Sequence, residues 1–243
     1  MKLSSRMIEI LKDKREQIKK QCNCGSVPCE KCDKQFEILL KYAKAGIPIR
    51  YWDLRLRDFN QCLSAKEKVI SYIKNIDENY KNGCGLFLKG DPGLGKTYLA
   101  CCILKAALQK NYTGRFITLA EAIIKLGDGY YDKDARDEFQ QDIAEVDFLV
   151  IDEVDKIVKS SKSDFVEICM DTLFRQRCNH LLPVILTGNK DQKEIISEFQ
   201  STYAASLLSL FNELTVPVIF IGEDFREKIS KEKQNKIFRK ENE

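Results

Sequence analysis

The sequence predicts an α/β fold in which a five-stranded parallel sheet is covered by helices and preceded by a small helical region rich in cysteine. Three observations carry this. Five short runs are almost wholly apolar (GLFLKG, GRFITL, DFLVID, LPVILTGN and VPVIFIG), as strands buried on both faces must be. Helix-forming segments separate them, long enough to return the chain for parallel pairing. A bare loop, GDPGLGKT, joins the first apolar run directly to a helix-forming stretch.

Taken in order, residues 4 to 20 have helical character, with Met7, Ile8, Ile10, Leu11 and Ile18 set among charges. Four cysteines fall within residues 22 to 32. A second helix, EKCDKQFEILLKYAKAG, stops at Gly46, a residue suited to the left-handed turn that ends helices. IPIRYWDLRLRDF has no clear period and is expected to be an extended linker packed on the next domain. SAKEKVISYIKNIDENY reads as one helix, with Ser64 as N-cap and Glu67 as its capping-box partner. After GLFLKG, Lys96 to Lys110 is helical. GRFITL is followed by a short helix, AEAIIKLG, and a polar one, DKDARDEFQQDIAEV. DFLVID precedes the helix DFVEICMDTLFRQRCNH, and LPVILTGN precedes the helices DQKEIISEF and AASLLSLFNEL. VPVIFIG is the fifth strand, and the roughly 20 charged residues after it leave no room for another helical domain.

The composition, 44% hydrophobic and 32% charged over 243 residues, suits one sizeable core with an appendage. No apolar run approaches the roughly 20 residues that span a bilayer, and the opening segment is too charged for a secretory signal. A cytoplasmic protein without membrane contact is expected. The formal net charge is only +3, with the basic excess at the two ends: seven Lys/Arg against three acids in residues 1–20, and seven against four in 226–243. Such ends suit either phosphate backbones or plain solvation. Of ten cysteines, Cys62, Cys84, Cys101, Cys102, Cys169 and Cys178 lie among apolar residues, where a thiol behaves as a small hydrophobe. His180 is the single histidine, which excludes chemistry built on several.

Gly90, Asp91, Pro92, Gly93, Leu94, Gly95, Lys96 and Thr97 match G-x-x-x-x-G-K-[ST], between a strand and a helix and with Tyr98 in the first helical turn. Glycines let successive N–H groups turn inward on phosphate oxygens, and the helix adds its positive end. Lys96 is expected to reach the β- and γ-phosphates of a nucleotide, and Thr97 to place its hydroxyl on Mg²⁺. In FLVIDEVDK, Asp152 emerges at a strand's carboxyl end and is expected to hold Mg²⁺ through water, with Glu153 activating the water that attacks the γ-phosphate. Asn189, ending VILTGN, is expected to orient that water, and Thr187 is a second candidate.

Cys22, Cys24, Cys29 and Cys32 place four thiols within eleven residues, with Gly25 and Pro28 supplying turns. Four thiolates suit tetrahedral Zn²⁺, which would fold a segment too short for its own core. C-x-x-C is a usual ligand spacing, and C-x-C demands a tight bend. Surface thiols without metal, or a redox pair, remain open readings.

The set GDPGLGKTYLA, FLVIDEVDK and VILTGN resembles the AAA+ ATPases. AGIPIRYWDLRLRDF and VIFIGEDFREK are similar to the linker and the lid-less end of helicase loaders of the DnaC/DnaI/IstB-like family, over about residues 45 to 230. The resemblance implies residues 1–46 as an N-terminal zinc-binding region that contacts a replicative helicase, 47–63 as linker, and 64–243 as an AAA+ ATPase domain. It implies ATP-dependent helicase loading on single-stranded DNA, a homo-oligomer, and Arg226 as a sensor-2-like residue on the phosphates. One departure stands out. Loaders carry an arginine, in the helix before the last strand, that reaches a neighbouring subunit's ATP, where this chain has Ser206 or Ser209. Arg175 or Arg177 would have to substitute, or hydrolysis would be slow or partner-dependent. Lys125, Lys156, Lys159 and Lys162 are candidate DNA contacts. The alternatives are an IstB-type transposition ATPase acting on duplex DNA, and a nucleotide-dependent binding module with little turnover.

Overall fold

The five apolar runs form β1 (Gly85–Lys89), β2 (Gly114–Thr118), β3 (Phe148–Asp152), β4 (Val184–Gly188) and β5 (Thr215–Ile219). They pair in one parallel sheet in the order β2-β3-β4-β1-β5, with Phe87 beside Leu186 on one side and Pro217 on the other. β3 and β4 are buried along their whole length, which is why their sequences are unbroken hydrophobic runs. β5 is an edge strand, and there Pro217 is tolerated because its missing N–H faces no partner. The crossovers leaving β1 and β4 depart in opposite directions, so the carboxyl ends of β1, β3 and β4 flank a topological switch point. The computed structural model describes residues 3–22, 29–156, 163–197, 204–226, 230 and 234–235.

Two apolar clusters cover the sheet's faces. On one, α3 (Leu63–Lys74) and α5 (Lys96–Gln109) bury Val69, Leu99, Ile103 and Leu104 against Leu88 and Val150. On the other, α6 (Leu119–Tyr131), α8 (Ser163–Asn179) and α10 (Ala204–Leu214) bury Ala122, Phe174 and Phe211 against Phe87 and Ile151. Thr118 and Glu121 close a capping box at the start of α6, which runs four residues past its expected end to Tyr131. The expected polar helix after it is only α7 (Lys133–Phe139), continued by a π turn at Gln140–Ala144 whose Ile143 and Ala144 are buried. α9 (Gln192–Ser197) follows β4.

Ahead of the sheet, α1 (Ser5–Gln21) and α2 (Glu30–Lys44) form a hairpin, and α2 ends before Gly46 at φ +75° as expected. The hairpin is docked on the core. Gln109 on α5 donates to the Tyr42 hydroxyl (2.8 Å), Lys41 to Asn111 Oδ1 (2.6 Å), and the Phe116 N–H to the Ala45 carbonyl (2.7 Å).

Three local expectations are corrected. The linker is not extended: it folds into 3₁₀ turns at Ile49–Tyr51 and Leu56–Asp58. The cause is Lys105 of α5, a buried ammonium that draws three acceptors around itself, the carbonyls of Tyr51 (2.8 Å), Trp52 (3.3 Å) and Leu54. Ser64 is not an N-cap. α3 begins at Leu63 after Cys62, whose backbone is left-handed at φ 43° and whose carbonyl accepts the Lys66 N–H (2.9 Å). The single helix expected to follow breaks at Asn75 (φ −102°, ψ 26°), and α4 (Ile76–Lys81) resumes it. Asn75 and Asn79 bond the carbonyls of Ser71 (3.1 Å) and Tyr72 (3.0 Å), local side-chain bonds that compete with the helix.

Arg177, on α8, is wholly buried. Burial disfavours its charge, and four carbonyls offset this: Ile143 (3.3 Å), Ala144 (2.9 Å), Asp147 (3.2 Å) and Pro183 (2.9 Å). The guanidinium thus ties α8 to the entries of β3 and β4. Arg177→Met should leave these acceptors without their donor and cost roughly 3–5 kcal/mol. For a chain of this length the melting temperature should fall by about 10 °C. A thermal scan showing a shift below about 2 °C would contradict this role.

Candidate functional site

The loop from Gly90 to Gly95 lies between β1 and α5, at the carboxyl edge of the sheet. Its bareness has a steric reason. Gly93 sits at φ +83°, and a Cβ there would fall 1.7 Å from Asp224 Oδ1. Asp224 Oδ1 also accepts the Arg226 N–H (2.8 Å), and the Phe225 N–H reaches the Gly93 carbonyl (3.3 Å). The chain after β5 therefore lies on the loop, bringing Arg226 close enough for its charge to act on Lys96. Leu94 is buried and anchors the loop from below. Tyr98 faces the linker instead, donating to the Arg55 carbonyl (2.7 Å) and tilting its ring against Phe59 (5.2 Å).

Lys96 opens α5 with its ammonium turned back into the loop, donating to the carbonyls of Gly90 (2.6 Å) and Asp91 (2.7 Å) and to Asn189 Oδ1 (3.0 Å). Burial lowers its pKa and the nearby Asp155 carboxylate works against that. The Thr97 hydroxyl donates to Asp152 Oδ1 (2.9 Å), and the Thr187 hydroxyl donates to the same oxygen. Burial raises the Asp152 pKa, and these two hydroxyls oppose the rise. A hydroxyl and a carboxylate side by side are hard oxygen donors of the kind Mg²⁺ takes.

Glu153 follows at φ 60°, a left-handed conformation rare for a residue with a long side chain. Its N–H donates to Thr187 Oγ1 (3.1 Å), so that hydroxyl is engaged on both sides and positions the two acids. The Glu153 carboxylate pairs with Lys156. Asn189 bridges Lys96 and Asp155, its Nδ2 donating to Asp155 Oδ2 (2.9 Å). Sequence reasoning passed over Asp155, although DEVD places a second aspartate three residues after Asp152.

Of the candidate arginines, Arg177 is corrected: it is buried and structural, and cannot reach a neighbouring molecule. Arg175 stands half-exposed on α8, bound twice to Asp171 (2.8 and 3.1 Å) and donating to Ser206 Oγ (3.0 Å). Ser209 is exposed on α10. Lys156 is held by Glu153, Lys159 and Lys162 lie outside the described residues, and Lys125 belongs to a stretch (residues 119–139) with six acids against three bases.

Where α1 ends and α2 begins, the Cys22, Cys29 and Cys32 thiols all lie within 4.8 Å of one another, with Sγ···Sγ distances of 3.4 and 3.3 Å along the chain of three. Cys24 lies outside the described residues. A separate cleft of about 780 Å³ lies between the hairpin and α5, lined by Gln35, Tyr42, Lys105 and Gln109 among others, and contains none of the loop residues.

A parallel sheet in this strand order, with a G-K-T loop after β1, an Asp-Glu pair at the end of β3 and an asparagine just after β4, defines a P-loop ATPase of the AAA+ class. The family model of IstB-like ATP binding proteins matches residues 29–230, and the chain belongs to that family. It is 34% identical over 86 residues to YdaV of Escherichia coli (strain K12), covering 35% of each chain. It is 23% identical over 169 residues to the replicative helicase loader DnaC of the same strain, covering 69% of this chain and 65% of DnaC. The chain thus spans about a third of the first relative's length and just under two thirds of the second's. The crystal structure of the DnaC helicase loader superposes with a TM-score of 0.62 at 22% identity, over 72% of this chain and 100% of that one. ATP hydrolysis is the activity of this class, and no helix among the described residues is long and apolar enough to cross a membrane.

Proposed function

We propose that the protein is a loader of a replicative helicase, using ATP to control its grip on the helicase and on single-stranded DNA. Residues 1–46 form the helicase-binding region, 47–63 the linker and 64–243 the ATPase domain. One observation carries this reading. The helix that begins at the phosphate loop, α5, is the helix on which α2 and the linker are fastened, through Gln109 and Lys105. Nucleotide at one end of α5 and a partner on the hairpin would therefore act on one rigid element.

In this reading the loop N–H groups between Gly90 and Gly95, apart from Pro92 which has none, and the Lys96 ammonium bind the triphosphate, with Arg226 closing over it. Thr97 and Asp152 would hold Mg²⁺, which supplies charge neutralisation on the β- and γ-oxygens. Glu153 takes a proton from water as the water oxygen bonds the γ-phosphorus. The bond to the β-phosphate oxygen then breaks, and its electron pair leaves with ADP. Asn189 orients the water. The protein works as a homo-oligomer, and Arg175, exposed beside Ser206, one of the two serines at the place where loaders carry arginine, is the side chain offered to a neighbour's nucleotide.

The Cys22, Cys29 and Cys32 thiols, with Cys24, suit tetrahedral zinc in donor type and spacing. Zinc there staples the hairpin. Chelation should loosen residues 20–35, read as faster amide exchange, while the ATPase core keeps its protection and its ATP binding. Undiminished helicase binding after chelation would separate the cluster from partner recognition.

The family match itself favours a second reading, an IstB-type ATPase that assembles on duplex DNA and recruits a transposase. Co-purification of the full chain with the replicative helicase of its host, in ATP and in ADP, decides. Nucleotide-dependent capture of the helicase is the expected result. Capture of a transposase instead, with no helicase in either nucleotide, would overturn the loader reading.

A further inference from the structure

Asn189 stands between two opposite charges. Its Oδ1 accepts from the Lys96 ammonium (3.0 Å), and its Nδ2 donates to Asp155 Oδ2 (2.9 Å). An ammonium can only donate and a carboxylate can only accept. The reverse amide orientation would set NH₂ against NH₃⁺ and carbonyl against carboxylate, so one orientation alone satisfies both neighbours. The carbonyl of Asn189 faces the phosphate side, and Asp155 is what turns it there.

Asp155 is itself unusual. Its Oδ1 is buried and accepts no hydrogen bond among the described residues. An unmet buried acceptor costs about 1–3 kcal/mol, and such atoms in native proteins call for an explanation. Asp155 follows β3 by three residues, beside the turn where Val154 N–H bonds the Thr187 carbonyl (2.9 Å), so the backbone that carries it is fixed to β4 just before Asn189.

We propose that Asp155 is a positioning residue for hydrolysis: it locks the Asn189 amide so that its carbonyl accepts an O–H of the attacking water. When a triphosphate draws Lys96 away, Asn189 Oδ1 loses its donor, and the water takes that place while Nδ2 stays on Asp155. The same carboxylate adds negative charge near the incoming phosphates and holds the Lys96 ammonium toward Asn189 in the resting pocket. Asp155 thus raises turnover at some expense of nucleotide affinity. This rests on the reading of Asn189 as the residue that orients water.

The test compares wild-type, Asp155→Ala, Asp155→Asn and Asn189→Ala full-length chains. Single-turnover hydrolysis of radiolabelled ATP, with protein in excess, registers even slow rates, and a fluorescent ATP analogue gives affinity. Asp155→Ala should slow hydrolysis about 10- to 100-fold, as loss of orientation does, while binding the analogue about 2- to 5-fold more tightly. Asp155→Asn keeps an acceptor oxygen for Asn189 but no charge. It should recover a rate within about threefold of wild type and keep the tighter binding. A packing role predicts neither the rescue nor the gain in affinity. If Asn189→Ala is slow while Asp155→Ala hydrolyses within about twofold of wild type, Asp155 does not position the amide. Equal slowing in both Asp155 variants with unchanged affinity also overturns the proposal. If Asn189→Ala hydrolyses as wild type does, the reading of Asn189 fails, and the proposal with it.

Discussion

Lys96→Ala gives a protein that folds and does not retain ATP. In the resting pocket the Lys96 ammonium has three acceptors, the carbonyls of Gly90 and Asp91 and the Asn189 side chain. These occupy the place that phosphate oxygens take, so a triphosphate exchanges neutral acceptors for charged ones around the same cation. Charge-assisted hydrogen bonds contribute about 1.5–3 kcal/mol each. Loss of two would weaken binding by about 10²- to 10⁴-fold. Gly90 is only half-buried and Asp91 is exposed, so water can take up the acceptors that Lys96 leaves, and burial already makes the lysine's charge costly. Loss of the side chain should therefore do little harm to the empty fold. The melting temperature should stay within about 4 °C of wild type, a change of about 1 kcal/mol or less. Titration with a fluorescent ATP analogue measures the first effect and a thermal scan the second. Binding within about fivefold of wild type would mean that the triphosphate is not held by this loop.

The five strands and the glycine loop were legible because each depends on a short stretch of sequence. Val150, Ile185 and their neighbours are buried on both faces, so their runs carry no polar interruption. The loop's motif has a fixed spacing between Gly90 and Thr97. What escaped reading depends on contacts between distant residues. Lys105, in ACCILKAALQK, looks like any solvent-facing helical lysine, and only the carbonyls some fifty residues earlier explain its burial and the coiled linker. Arg177 lies in a helix beside the exposed Arg175, and nothing local says that one faces four carbonyls and the other solvent. Ser64 and Glu67 make a correct capping pair on paper. The helix starts two residues earlier, with its N-cap at Cys62, whose thiol lies on the distant carbonyls of Ile221 (3.3 Å) and Leu94 (3.8 Å). In the site, the residues brought together (Lys96, Thr97, Asp152, Asn189) were those with motif spacing. Asp155 has no motif, and its part emerges only where β3 and β4 lie side by side.

Glu153→Gln should bind ATP as wild type does and hydrolyse it about 10²- to 10⁴-fold more slowly, the range spanned by loss of a general base. The geometry supports the separation of the two effects. Among the described residues the Glu153 carboxylate has no hydrogen bond to the phosphate loop and pairs with Lys156. Both side chains are about half exposed, 43% and 56%, and a pair so solvated contributes at most about 1 kcal/mol. The carboxylate can therefore leave Lys156 for a water at the γ-phosphate with little penalty. The left-handed backbone at φ 60° carries a strain of about 1–3 kcal/mol. The bonds from the Glu153 and Val154 N–H groups to Thr187 sustain it, holding the side chain's root beside Asp152. Glutamine preserves the shape and those backbone bonds but cannot accept the proton, so strain, Mg²⁺ ligands and phosphate contacts all survive the substitution. Single-turnover hydrolysis alongside analogue binding reads both quantities on one sample. A rate within about threefold of wild type would remove Glu153 from the chemistry and point to another acceptor beside the water.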